Sequence, residues 1–123
     1  MRMIAIIAVL LAGTVSARAD IIGTGPGYGS DAQAAALCIL YNAGSTSFNV
    51  SSIKIIQENY GPISTLSCCT GSVQPGHYCG CYAHIGNLTA HACKAVVSAK
   101  TNVRGTFTIR NSSGDPLYSE MLR

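Results

Sequence analysis

Over residues 103–110 the chain alternates strictly, with Val103, Gly105, Phe107 and Ile109 on one parity and Arg104, Thr106, Thr108 and Arg110 on the other. A period of two marks a strand with one face buried and one face in water. Weaker forms of the same signal predict further strands over 35–41, 46–57, 63–69, 79–85, 90–99 and 116–122. Within 46–57, Phe48 and Val50 lie on one parity and Ile53 and Ile55 on the other, which predicts a bulge near Ser51-Ser52. Two segments, 32–40 and 89–99, have competing helical readings because alanine favours helix. The alternation and the Val96-Val97 pair favour strand, and strand is the expectation at both.

Turn residues punctuate these segments. Asn42-Ala43-Gly44, Pro75-Gly76 and Asn111-Ser112-Ser113-Gly114 break the pattern, and residues 70–78 are expected to form a loop. About seven short strands at roughly 8–14 residue spacing predict an all-β fold, an antiparallel β-sandwich of immunoglobulin-like architecture. Residues 20–34 hold four of the chain's glycines, and the expectation is a flexible Gly-rich arm. The single sandwich domain is expected over 35–123.

The first nineteen residues follow different rules. Arg2 is followed by an unbroken apolar run, Ile4 to Ala12, and then by Ala17-Arg18-Ala19. A positive start, an apolar centre and an A-x-A site are the parts of a secretory signal peptide, expected over 1–19 with cleavage before Asp20. The apolar run falls short of the roughly 20 residues needed to cross a bilayer, so no membrane span is expected in the mature chain. Cleavage removes Arg2 and Arg18, leaving six cations against five acids and a net charge of +1. No basic patch then remains to track a nucleic acid backbone.

Export changes the meaning of the six cysteines. An even number in a small secreted chain predicts a disulfide framework, and 104 mature residues with two phenylalanines and no tryptophan have limited material for a core. Six cysteines allow 15 connectivities. Antiparallel pairing across the Pro75-Gly76 loop favours Cys69 with Cys79 and Cys68 with Cys81, leaving Cys38 with Cys93. One geometric difficulty stands against the nested pair. Neighbours Cys68 and Cys69 point to opposite sides of a regular strand, whereas Cys79 and Cys81 share a side.

Catalytic signatures are sparse. The glycines of 23–29 fail the G-x-G-x-x-G spacing, and neither G-x-S-x-G nor H-E-x-x-H occurs. Cys68, Cys69, Cys79 and Cys81 with His77, His84 and His91 offer soft metal ligands, but the C-x2–4-C knuckle is missing and an oxidising compartment consumes the thiols. Thiol–disulfide exchange needs a depressed thiol pKa, yet no lysine or arginine lies between Lys54 and Lys94. The expectation is therefore a non-enzymatic domain without cofactor, catalytic residue or metal ligand.

From about residue 36 onward, the pieces ALCILYNAG, PGHYC, HACKAVVSAK and NVRGTFTIRNSSGD resemble small exported four-cysteine proteins of unknown function from proteobacteria. Cys38, Cys69, Cys79 and Cys93 fit that pattern, while Cys68 and Cys81 depart from it. The resemblance implies a periplasmic or secreted β-domain and transfers no activity. An immunoglobulin domain is a weaker match, because the buried tryptophan is missing and His91 stands at the tyrosine-corner position. The sequence thus points to a secreted or periplasmic binding or envelope-associated interaction domain, whose partner is a protein or surface ligand. The alternative is a small thiol–disulfide or metal-handling protein using the cluster Cys68 to Cys81.

Overall fold

Alternating strands have one apolar face each, and two such faces buried against one another make a sandwich. The computed structural model describes residues 18–123; the leader expected over 1–19 therefore lies, except for its last two residues, outside the described residues. Nine strands follow in order: β1 (Asp20–Gly23), β2 (Gln33–Asn42), β3 (Phe48–Gln57), β4 (Gly61–Pro62), β5 (Gly71–Val73), β6 (Tyr78–His84), β7 (His91–Val97), β8 (Val103–Asn111) and β9 (Pro116–Met121). They form two sheets. Sheet I runs β1-β7-β3-β4, with β5 also paired to β3, and sheet II runs β6-β2-β8-β9. Every named strand pair is antiparallel.

The core is the set of inward positions. Ala36, Cys38 and Leu40 from β2, Cys79, Cys81 and Ala83 from β6, and Phe107 and Ile109 from β8 meet Val50, Ile53 and Ile55 from β3 and Cys93, Ala95 and Val97 from β7. The parity change inside β3 has the expected cause, a register shift between Val50 and Ser52 in its pairing with β7. An extra residue there returns Ile53 and Ile55 to the core side of the sheet. Both segments with helical alternatives are strands, β2 and β7. Their two-residue burial rhythm and two-sheet packing outweigh alanine's small helical preference.

Three expectations need correction. Residues 20–34 are no flexible arm: β1 pairs with β7 from Asp20↔Val97 to Gly23↔Lys94, Gly27 forms a bridge with His91, and β2 already begins at Gln33. The glycines there serve close approach, since a Cβ at Gly27 would collide with the Tyr118 ring and one at Gly29 would crowd Ile109 and Leu117. The expected strand over 63–69 reduces to one isolated bridge, Leu66↔Tyr82, because Ser67 takes a left-handed φ of 55° that breaks any extended run. The loop expected over 70–78 contains β5. Sheet partner β7 reaches only to Val50 on β3, and β5 pairs with Phe48, Asn49 and Val50 on the opposite edge, carrying Val73 into the core. Among the described residues, nine strands therefore replace the expected seven.

The chain's last residues tie the two sheets together. Gly23 and Arg123 exchange both backbone hydrogen bonds at 3.0 Å, and the Leu122 amide donates to the Gly105 carbonyl.

Candidate functional site

The cysteines come first, because they set what can move. Cys38 of β2 is joined to Cys93 of β7, Cys68 to Cys81, and Cys69 to Cys79. All six sulfurs are therefore used. The first bridge links the two sheets through the core, with both cysteines buried, and holds its Cα atoms 5.9 Å apart. Packed sheets usually sit about 10 Å apart. The neighbouring inward positions Ala36, Ala83 and Ala95 are small and fully buried, which lets the layers close around the bridge.

The other two bridges lie at one edge. Residues 66–69 run beside β6 as a strap: Leu66 and Tyr82 exchange backbone hydrogen bonds of 2.6 and 3.2 Å, and the Cys69 amide donates to the Gly80 carbonyl. The facing problem posed by Cys68 and Cys69 is resolved by position. They lie outside any strand, just after the left-handed Ser67, so both can turn toward inward-facing Cys79 and Cys81. Cys68 is exposed and Cys69 half-buried, while their partners are buried.

Beside the strap, the outward face of sheet II departs from sandwich convention. A solvated sheet face normally carries polar residues. Here β2 presents Leu37, Ile39 and Tyr41, and β6 presents Tyr78, Gly80 and Tyr82 opposite them. All of these but Tyr41, together with Ser67 and Cys69 of the strap, border a groove of about 330 Å³. Tyr78 is 77% exposed and Tyr41 44%. Gly80 forms part of the floor, where a Cβ would press on the Cys38 carbonyl at 3.1 Å and on Ile39. At the far end of β6, Tyr82 meets His84 edge-on, its hydroxyl 3.2 Å from Nδ1.

Two buried amides flank β2, and sequence reasoning did not single them out. Asn42 donates to the Thr46 and Val73 carbonyls at 2.8 and 2.9 Å and accepts from the Gly44 amide, tying the β2–β3 turn to β5. Gln33 donates to the Gly86 and Thr89 carbonyls at 2.7 and 2.6 Å and accepts from the Gly29 amide. The signal for Asn42 was legible, since it shares the inward parity of Cys38 and Leu40. For Gln33 it was not, because a register shift between Gln33 and Ala35 hides its parity.

His91 is fully buried at the start of β7, and neither ring nitrogen meets a hydrogen-bond partner. Burial lowers its pKa from the ordinary 6.5, with the Thr89 backbone acting in the other direction. His77 and His84 are exposed. No group of three or more His, Cys, Asp or Glu side chains converges to hold a metal among the described residues. Asp115 accepts from the Asn111 side chain, whereas Glu120 accepts from the Tyr118 hydroxyl at 2.6 Å. That bond first, then burial and the Glu120 charge, raises the Tyr118 pKa.

Neither a known protein family, nor a curated protein, nor a solved structure matches this chain. The fold and the site geometry define a disulfide-braced antiparallel β-sandwich with an apolar, tyrosine-lined groove on one outer face.

Proposed function

We propose that the chain is an exported, non-enzymatic binding domain, secreted or periplasmic, which engages a protein or surface ligand through the outward face of sheet II. The carrying observation is the row Leu37, Ile39, Tyr41 facing Tyr78 and Tyr82 where water-facing polar residues are the norm. Tyrosine suits such a role, offering large contact area with few rotatable bonds and a polar tip. Three bridges in so small a domain fit an oxidising compartment. Among the described residues no helix is long and apolar enough to cross a membrane.

The test is comparative cross-linking in the envelope and secreted fractions, using the native protein beside Tyr78→Ser and Ile39→Thr variants. A cross-linked species lost in both variants while their circular dichroism stays native supports the groove as the contact surface. Equal cross-linking by all three proteins sinks it. Thiol–disulfide catalysis is the competing reading, drawn from the exposed Cys68. It requires an activating cation or helix N-terminus, whereas the polar neighbour of Cys68 Sγ is the Thr65 hydroxyl. Multiple-turnover reduction of a separate protein disulfide would establish that reading in place of ours.

A further inference from the structure

We infer that residues 66–69 form a redox-released strap, opened first at Cys68–Cys81, which uncovers the outer edge of β6 while the sandwich stays intact. This concerns the protein's own bridges and goes beyond the binding role proposed above. Three independent features carry it: access, attachment and position.

Access differs sharply among the bridges. Disulfide exchange needs a thiolate to reach one sulfur. Cys38 and Cys93 are 0% and 1% exposed in the centre of the core, so a reductant reaches them only if the sheets part. Cys68 is an exposed residue on the strap at the sheet edge, so its bridge is approached without parting the sheets. Attachment of the strap is correspondingly slight. Apart from the two bridges, Leu66 and Cys69 hold it to β6 through three backbone hydrogen bonds. Leu66 is exposed, and Ser67 has left-handed backbone geometry. Segments with few buried contacts open locally at a lower cost than the global fold.

Position gives the release a consequence. On its inner side β6 is paired with β2 from Ala35↔His84 to Tyr41↔Tyr78, and that pairing does not involve the strap. On its outer side the Tyr82 amide and carbonyl and the Gly80 carbonyl are occupied by Leu66 and Cys69. Removing the strap exposes those groups as an unpaired strand edge next to the groove. Such an edge accepts an extended segment by strand addition.

The chemistry balances with a dithiol as reductant. Its thiolate attacks Cys68 Sγ, forming a mixed disulfide and expelling Cys81 as a thiolate that takes up a proton. The reductant's second thiol then attacks its own sulfur in the mixed disulfide, closes a cyclic disulfide and releases Cys68 as a thiol. Two electrons and two protons pass from the dithiol to the Cys68–Cys81 pair. Cys69–Cys79 opens by the same route with a second equivalent.

Graded reduction of the native, full-length mature protein with dithiothreitol tests this, followed by rapid alkylation, peptide mapping and amide exchange by NMR. The expected result is half-alkylation of Cys68 and Cys81 at a dithiothreitol concentration at least about tenfold below that needed for Cys38 and Cys93. In that intermediate the Tyr82 amide should exchange at least about tenfold faster, while the Cys81 and Ala83 amides, which face β2, keep their protection. A Cys68→Ser/Cys81→Ser variant should show the same Tyr82 exchange without reductant. Alkylation of Cys38 and Cys93 in step with Cys68 would overturn the inference, and so would an unchanged Tyr82 amide once Cys68 and Cys81 are reduced. Turnover of a foreign disulfide bears on the competing enzymatic reading and leaves this measurement untouched, so the two can fail separately.

Discussion

The bridge through the core and the two bridges at the β6 edge use the same bond for different ends. Cys38–Cys93 spans 55 residues and joins opposite sheets, so it restricts nearly every arrangement of the unfolded chain. Cys68–Cys81 and Cys69–Cys79 span 13 and 10 residues and are nested, each closing almost the loop that the other already closes. Either alone supplies most of the restraint of both. The contrast shows that a cysteine count overstates uniform bracing: one bridge holds the layers together, and two pin a short segment to a strand that is already paired.

The largest effect should follow loss of the core bridge. Replacing Cys38 and Cys93 together by alanine should cost about 4 kcal/mol, as the loop-closure relation gives for this span, measured by urea unfolding. Removing Cys68 and Cys81 together should cost only about 1–2 kcal/mol, since Cys69–Cys79 still closes the loop. Equal losses in the two double variants would erase the distinction drawn here.

Acid should separate the regions further. His91 lies two residues from Cys93 on the same inward face, and its pKa is lowered by burial. The unfolded chain therefore takes up a proton near pH 6.5 that the folded chain refuses. Stability from this group is present above about pH 6.5 and is lost as the pH falls toward the lowered folded value. Thermal midpoints recorded from pH 7.5 down to 5 should decline, and a His91→Gln variant should flatten the decline. The Cys68→Ser/Cys81→Ser variant should keep the native slope, because the strap contains no histidine.

The smallest effect belongs to the groove. Tyr78→Ser alters an exposed side chain and should shift stability by no more than about 0.5 kcal/mol. A larger loss would mean that Tyr78 braces the strap instead of facing a partner.

What could be read from the chain divides along physical lines. Strands β3, β7 and β8 were legible from their alternation, β2, β6 and β9 from the turn residues that bound them, and the bulge near Ser51-Ser52 showed itself as a parity change. Strand β5 was not, since Gly71, Ser72 and Val73 are too few to display a period. The stretch from Asp20 to Asp31 misled for a different reason: glycine signals equally a loose chain and a tightly approached one. The Tyr118 ring over Gly27 and the side chains of Ile109 and Leu117 at Gly29 distinguish the two. The groove was hidden because Leu37, Ile39 and Tyr41 belong to an unbroken apolar run, in which an outward face cannot be told from an inward one.

The mutual hydrogen bonds of Gly23 and Arg123 have a mechanical consequence. Antiparallel pairing puts the start of β1 and the C-terminal end of the chain at the same end of their short ladder. Tension applied between Asp20 and Arg123 would pull the Gly23–Arg123 pair straight apart, instead of shearing it along the strands. A domain stretched between those two points should therefore begin to yield at low force, with its interior cystine still holding the two layers.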